Sequence, residues 1–207
     1  MSDGLDIFEL MRAPSPGTLF VFAGPSGAGK SSVCRGLLAG VPGVEFSVSH
    51  TTRAPRPDEV EGRDYHFVSE DEFERIVAAG GFAEHAGVFG HRYGTSRDQL
   101  GRKLERGDVL LDIDVQGAAQ LRESHPEAVS VFVVPPSLEE LRARLIARNQ
   151  NAPDDVERRL AQAETEMREV VHFDYALVND ELDRAVAAAA AIITAERHRL
   201  ARRLGPR

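Results

Sequence analysis

The chain has 207 residues, of which 42% are hydrophobic and 28% are charged, a balance that suits one globular α/β domain with insertions. Its formal net charge of −8 argues against a nucleic-acid partner, and no apolar run approaches the roughly 18 residues of a membrane span. The single cysteine, Cys34, excludes an internal disulfide, and we expect it to be a small buried side chain. We expect a cytoplasmic protein. Residues 1–16 are interpreted as a flexible arm, or else as an arm that packs on a neighbouring subunit.

The first predicted elements are a strand, a glycine-rich loop and a helix. Residues 18–23 are mostly apolar and rich in strand formers, which predicts a strand buried on both faces. The loop covers residues 24–29, and the helix begins at Lys30 and closes near Gly40. Residues 44–49 alternate apolar and polar side chains, which predicts a half-exposed strand.

The next stretch, residues 50–95, is charged and punctuated by glycine and proline. We interpret it as an insertion that forms a small lobe. It holds one predicted helix, which begins with a capping box at Ser69 and Glu72. A further helix is predicted to begin at Ser96 and to end before Gly107.

Strands and helices alternate over the second half of the chain. Strands are predicted at 109–114, 129–134 and 175–178. Helices are predicted from Ser137 to about Arg148, from about Asp155 to Val170, and from Asp183 to Leu200. This alternation predicts a doubly wound parallel sheet.

The strongest chemical signal is the match of residues 24–31 to the phosphate-binding pattern G-x-x-x-x-G-K-[ST]. Glycines let backbone N–H groups turn inward around phosphates, and the N-terminus of the following helix adds positive potential. Lys30 supplies a mobile positive charge, and Ser31 offers a hydroxyl to Mg²⁺. The predicted nucleotide-binding loop therefore consists of Gly24, Pro25, Ser26, Gly27, Ala28, Gly29, Lys30, Ser31 and Ser32.

Two carboxylates, Asp112 and Asp114, end the strand predicted at 109–114. A spacing of two residues puts both on one side of a strand, and the carboxyl end of a parallel strand faces the ligand crevice. In proteins with this phosphate loop, an acid at that point helps to hold Mg²⁺. We expect Asp112 to serve the metal together with Ser31.

Two groups of arginines are ambiguous on composition alone. Arg53 and Arg56, with Tyr65 nearby, either grip a second phosphate or lie in a solvated loop. Arg148 and the pair at 158–159 flank a polar segment, and they either close over a phosphate or form a charged helix face.

Taken together, the phosphate loop and five further segments resemble the guanylate kinase family. The segments are 46–69, 82–96, 110–118, 132–145 and 176–180, and their order and spacing hold over roughly residues 17–199. The resemblance implies transfer of the γ-phosphoryl group of Mg·ATP to GMP, giving ADP and GDP, in purine nucleotide metabolism. It also implies a P-loop NTPase core (17–48 and 97–199), a GMP-binding lobe (49–96), a lid (148–159) and a tail (200–207).

The resemblance assigns roles to individual residues. The GMP phosphate would be held by Ser49, Arg53, Arg56, Tyr65 and Tyr93. Glu84 and Thr95 would read guanine, with Asp112 and Asp114 assisting in the substrate site. Arg148 and Arg159 would meet the transferring phosphoryl group and, with Lys30 and Arg53, form the catalytic set. Asn179 would lie near the ATP base.

The guanine assignment agrees with the chemistry of the base. Guanine presents N1–H and N2–H donors on one edge, which the acceptor-only carboxylate of Glu84 can bind, and Thr95 can donate to O6. Adenine has an acceptor at N1, which a site built for guanine rejects. The same reasoning admits dGMP as an acceptor.

The chain departs from the family at two places. Thr95 stands where serine is usual, and the segment after Arg148 lacks the glycine common there, with Pro153 starting the next helix or stiffening the lid. The rival interpretations are a scaffold domain without catalysis and a P-loop kinase for another acceptor. A GTPase is disfavoured, since the sequence has no N-K-x-D motif. The sequence leaves open whether the protein is a monomer or a homo-oligomer.

Overall fold

The structure is a computed structural model that describes Phe8, residues 17–148 and residues 153–204. The rest of the predicted arm 1–16, the lid segment 149–152 and residues 205–207 of the tail lie outside the described residues. None of the described helices combines the length and apolar composition that crossing a membrane requires.

Nine strands and eight α-helices are present in the described part of the chain. The strands are β1 (Leu19–Ala23), β2 (Val44–Phe46), β3 (His50–Thr51), β4 (His66–Phe67), β5 (Phe82–Val88), β6 (His91–Ser96), β7 (Asp108–Asp112), β8 (Val129–Val134) and β9 (Tyr175–Val178). The helices are α1 (Lys30–Gly40), α2 (Glu70–Ala78), α3 (Arg97–Leu104), α4 (Val115–Ser124), α5 (Leu138–Arg148), α6 (Pro153–Met167), α7 (Leu182–Arg197) and α8 (Leu200–Leu204). A 3₁₀ helix, Arg168–His172, follows α6.

The central sheet is parallel and has the strand order β2-β7-β1-β8-β9. All five residues of its middle strand, β1, are buried, as the continuous apolar run predicted. Alternate side chains of β1 enter two different hydrophobic clusters. One face packs against α1 and α7, and the other against α3 and α4. The prediction of a doubly wound parallel sheet is confirmed.

A second, four-stranded sheet is built only from residues 50–96, with the strand order β4-β3-β6-β5. Its largest part is the antiparallel hairpin of β5 and β6, joined by the two-residue turn Phe89-Gly90. Helix α2 covers this sheet through Phe73, whose ring lies 4.6 Å from that of Phe82. The small lobe predicted here contains the expected helix. Its N-cap is Ser69, which accepts a 3.2 Å hydrogen bond from the backbone N–H of Glu72.

The structure corrects several predicted boundaries. The strand predicted at 44–49 ends at Phe46, and the strand predicted at 109–114 ends at Asp112. Asp114 is instead the N-cap of α4, because its carboxylate accepts a 2.9 Å hydrogen bond from the backbone N–H of Gly117. The sequence did not predict this helix. Only Asp112 therefore lies in the strand, and the placement of Asp112 and Asp114 on one side stays a prediction.

The C-terminal helices also end earlier than predicted. The helix expected to reach Val170 becomes 3₁₀ after Met167. The last long helix ends at Arg197, and α8 follows. Cys34 is buried in α1, as predicted, and burial raises the pKa of its thiol well above the ordinary value.

Candidate active site

The glycine-rich loop joins the carboxyl end of β1 to the N-terminus of α1. Gly24, Gly27 and Gly29 have φ values of 137°, 93° and 92°, a region that side chains rarely adopt. At Gly29 space is also lacking, because an added Cβ would lie 2.1 Å from Nδ2 of Asn179. The loop therefore has the backbone curvature that a phosphate-binding nest requires.

Lys30 is the first residue of α1 and folds back over the loop. Its ammonium group donates to the backbone oxygens of Gly24 at 2.7 Å and of Pro25 at 3.2 Å. Both partners are uncharged carbonyl groups. The positive charge of Lys30 is thus held at the loop, where a bound anion would replace the two carbonyl groups as its partner.

Ser31 and Asp112 meet although 81 residues separate them in the chain. The Ser31 hydroxyl donates a 2.5 Å hydrogen bond to Oδ2 of Asp112 at the carboxyl end of β7. Hydroxyl and carboxylate oxygens are ligands that Mg²⁺ accepts, usually alongside substrate phosphates and water. The described residues contain no group of three or more His, Cys, Asp or Glu side chains that could hold a metal alone. The Ser31–Asp112 pair therefore fits a Mg²⁺ ion that is shared with a nucleotide.

Asn179 lies beneath the loop and supports it. Its side chain is 6% exposed, and its amide donates to the backbone oxygen of Ala28 at 2.8 Å. Arg144 of α5 donates in turn to the backbone oxygen of Asn179 at 3.0 Å. The predicted contact of Asn179 with the ATP base stays a prediction. Its observed role is to hold the loop in shape.

The second predicted phosphate site gathers around Arg53. The Arg53 guanidinium binds both carboxylate oxygens of Glu59, at 2.7 and 2.9 Å, and lies 5.4 Å from the ring centroid of Tyr65. The rings of Tyr65 and Tyr93 are 5.8 Å apart. Arg56 completes the group, with Nη1 3.7 Å from Glu59. The structure thus brings two cations and two phenols together, as a phosphate site needs.

The pKa values of Glu59 and Tyr65 in this group depend on burial and on neighbouring charges. Burial alone would raise the pKa of Glu59, but hydrogen bonds from Arg53 and the Arg56 backbone hold that pKa below its ordinary value. Burial, with the charge of Asp112 adding to it, raises the pKa of the Tyr65 phenol. Tyr65 is therefore a neutral hydrogen-bond donor at physiological pH, and it lies close enough to Asp112 to feel its charge.

Ser49 is also at this end of the small lobe. It is 7% exposed, and its backbone oxygen accepts the N–H of His66 at 2.9 Å. Its predicted contact with phosphate stays a prediction.

The predicted guanine readers, Glu84 on β5 and Thr95 on β6, are directly opposite each other. Glu84 is 3% exposed and Thr95 is fully buried. The Thr95 hydroxyl donates a 2.6 Å hydrogen bond to Oε1 of Glu84. On its other side, Glu84 lies against the start of α4, since a Cβ on Gly117 would be 2.3 Å from Oε2. A side chain at position 117 would therefore collide with the carboxylate.

Burial raises the pKa of Glu84 to about 7, with the hydrogen bond from Thr95 opposing the rise and the charge of Asp114 adding to it. Asp114 itself is held by α4, because its second oxygen accepts from Nε2 of Gln116 at 2.9 Å. A desolvated carboxyl group with this pKa is poised to bind a partner that offers two N–H donors.

Helix α6 brings Arg159 to the tip of the small lobe. The guanidinium carbon of Arg159 lies 4.2 Å from the ring centroid of Phe89, and that of Arg158 lies 5.5 Å away. The side chain of Arg148 is outside the described residues, so its predicted role and that of Arg159 at the phosphoryl group stay predictions.

Three residues at the site were missed by sequence reasoning. Glu59 lies in a loop, where spacing does not predict pairing, and its contacts with Arg53 and Arg56 are known only from the structure. Phe89 has no signal beyond the glycine that follows it. Glu166 is 9% exposed on α6, where burial raises its pKa against the hydrogen bond from Gln162 and the charge of Lys30. Its position in a long helical pattern made it indistinguishable from a surface acid.

Comparisons with known proteins agree with the resemblance. The sequence model of the family described as guanylate kinase matches residues 17–196. A guanylate kinase of Alkalilimnicola ehrlichii is 53% identical over 188 residues, which are 90% of this chain and 93% of the relative. A guanylate kinase of Symbiobacterium thermophilum is 53% identical over 187 residues, covering 90% of this chain and 89% of the relative.

A solved structure agrees with the fold. The crystal structure of guanylate kinase from Anaplasma phagocytophilum matches with a TM-score of 0.77 at 36% identity. The match covers 91% of this chain and 90% of that one. The similarity therefore extends over both the central sheet and the small lobe.

Proposed function

The chain belongs to the guanylate kinase family and phosphorylates GMP with ATP as donor, and we propose that its two sheets divide this work between the two nucleotides. The loop 24–32 binds the phosphates of ATP, and the residues of the small lobe bind GMP. The observation that carries the proposal is the buried Glu84–Thr95 pair, whose carboxylate accepts the N–H donors that guanine presents, whereas adenine has an acceptor at N1.

The donor nucleotide is held by backbone N–H groups of the loop and by Lys30. Lys30 exchanges its bonds to Gly24 and Pro25 for bonds to the phosphates, and this exchange brings its charge onto the group being transferred. Ser31 and Asp112 supply the protein ligands of Mg²⁺. An Mg²⁺ ion held there would supply positive charge against the negative charge that develops on the phosphates.

The acceptor is oriented by contacts at its two ends. Arg53 and Arg56 bind the GMP phosphate as forked donors, with Tyr65 and Tyr93 donating from the same side and Ser49 nearby. Glu84 accepts from N1–H and N2–H of guanine. The hydroxyl of Thr95 and the carboxylate of Asp114 complete the base site. These contacts fix the phosphate oxygen for in-line attack, so no covalent enzyme intermediate is required.

Arg148 and Arg159 stabilise the charge of the transferring phosphoryl group. An arginine in this role contributes on the order of 10³–10⁵ in rate. The reaction proposed here is a cytoplasmic one. The proposal includes dGMP as an acceptor, because the assigned contacts do not involve the 2′-hydroxyl.

The test is a coupled assay of ADP production with Mg·ATP and each of GMP, dGMP, AMP, CMP and UMP. We expect ADP with the two guanine nucleotides alone. Lys30→Ala should abolish it with every acceptor, and Glu84→Gln should selectively raise KM for GMP. Glu70→Gln, which alters an exposed acid of α2, is the matched control and should leave KM unchanged. A wild-type chain that binds GMP but makes no ADP would instead be a scaffold domain.

A further inference from the structure

Phe89 occupies an unusual position at the tip of the β5–β6 hairpin. With Gly90 it forms the two-residue turn between Val88 and His91, and both turn residues have positive φ, 50° and 82°. Turns of this kind favour Asn-Gly, and a bulky side chain in the left-handed region is an outlier. Such strain persists where the surrounding structure holds the residue, and it commonly marks a functional position.

The surroundings that hold Phe89 are two arginines of α6. The guanidinium carbons of Arg159 and Arg158 lie 4.2 and 5.5 Å from its ring centroid, inside the roughly 6 Å range of a cation–π contact. Helix α6 is anchored on its other side by Val156, Leu160 and Ala163, which pack with α5. The ring is therefore a bridge between the small lobe and the helix that carries Arg159.

We propose that Phe89 is a positioning residue for Arg159, whose guanidinium it holds through a cation–π contact for the phosphoryl-transfer step. The inference rests on the proposed function, since it takes Arg159 to act on the transferring group. The ring attracts the cation through its π face and accepts no conventional hydrogen bond, so this contact does not itself use the N–H donors of Arg159.

The position of Phe89 also links this arginine to the acceptor site. Glu84 lies on β5, while Tyr93 and Thr95 lie on β6. The hairpin that carries these GMP contacts therefore has Phe89, which contacts Arg159, at its tip. Seating of GMP on this hairpin and placement of the arginine are coupled through one rigid element.

The test compares three substitutions at position 89 in steady-state kinetics. Phe89→Asn removes the ring while supplying the residue that the turn favours, so the fold should be at least as stable. Phe89→Leu keeps apolar bulk without the π face, and Phe89→Tyr keeps the ring. We expect Asn and Leu to lower kcat about five- to tenfold, on the scale of a cation–π contact, with KM for GMP nearly unchanged and Tm equal or higher for Asn. Tyr should retain wild-type turnover.

A double-substitution cycle separates positioning from a general effect on structure. In an Arg159→Ala background, Phe89→Asn should have no further effect on kcat, because the residue it positions is gone. Wild-type kcat for Phe89→Asn or for Phe89→Leu would overturn the inference, and so would an additive cycle. An inactive wild-type chain would instead refute the proposed function, so the two failures are distinguishable.

Discussion

The Thr95 hydroxyl donates its hydrogen bond to Glu84, so the two predicted guanine readers bind each other in this structure. A hydroxyl has one proton, and while that proton points at Glu84 it is not donated to O6 of guanine. Glu84 in turn has one oxygen engaged by Thr95 and the other against the start of α4. Binding of guanine must therefore rearrange a buried hydrogen bond as well as fill a space.

The first prediction concerns the pH dependence of GMP binding. Glu84 must be ionised to accept both guanine donors, and its pKa is raised to about 7 by burial. KM for GMP should therefore be lowest above pH 7 and rise about tenfold per pH unit below it. The GMP phosphate also titrates, so Glu84→Gln is the control. Its KM should be high throughout and should change less between pH 8 and pH 6. Parallel profiles for the two proteins would remove Glu84 from the base site.

The second prediction concerns stability, and its sign follows from the same pKa. Because the folded-state pKa lies above the ordinary value, the folded protein binds the extra proton between about pH 4.5 and 7, and its stability falls as pH rises through that window. Ionisation of buried Glu84 therefore lowers the free energy of unfolding by up to about 3 kcal/mol at pH 8. Glu84→Gln should therefore be more stable than wild type at pH 8 and nearly equal at pH 5, measured by urea unfolding. Glu70→Gln should show no such difference.

The parts of the fold that the sequence predicted have local signals. Strands β1 and β8 are buried in a parallel sheet and were predicted from their apolar runs. Ser69, Ser96 and Ser137 mark helix starts through side-chain caps. The strands of the small lobe lack such signals. Its β3 and β4 strands have two residues each, and β6 reads His-Arg-Tyr-Gly-Thr-Ser because functional side chains interrupt any alternation.

The candidate site also has one part with a local sequence signal and another part without one. The glycine-rich loop was predicted from contiguous residues, since its chemistry depends on local backbone shape. The grouping of Glu84 with Thr95 arises from strand pairing that no local pattern encodes, and it was reached only through the family resemblance. Asp114 was assigned to a strand because it ends the run 109–114, which is rich in apolar residues. In the structure the strand ends at Asp112, and the Asp114 side chain caps a helix.

The third prediction tests the arginine fork at the acceptor phosphate. Arg53→Lys keeps the positive charge but loses bidentate geometry, both toward Glu59 and toward phosphate. We expect KM for GMP to rise about tenfold or more, with KM for ATP nearly unchanged. Arg63→Lys is the matched control, since Arg63 lies in the same lobe, is exposed, and pairs with Asp64. Equal kinetics for Arg53→Lys and wild type would place the phosphate elsewhere.

The fourth prediction tests the metal pair. Asp112→Asn removes the carboxylate that meets Ser31, so the Mg²⁺ concentration that gives half-maximal activity should rise about tenfold. Raising Mg²⁺ at saturating ATP should recover much of the rate if the role is metal binding. A loss that added Mg²⁺ does not relieve would show instead that Asp112 serves the position of Ser31 or of the loop.

The fifth prediction concerns the amino end of β7, opposite the end that carries Asp112. Asp108 is the first residue of β7, whereas Asp112 is the last, and Asp108 is 7% exposed. Its carboxylate accepts hydrogen bonds from the backbone N–H of Thr18 at 2.8 Å and from Nε of Arg197 at 2.7 Å. It thereby ties the start of β1 to the end of α7, at the edge of the sheet away from the phosphate loop. Asp108→Asn weakens both contacts and should lower the free energy of unfolding by about 1–3 kcal/mol in urea. At temperatures well below Tm, kcat and KM should stay within twofold of wild type, because no substrate contact is assigned to this end. A large change in kcat with unchanged stability would show that the two ends of β7 are coupled during turnover.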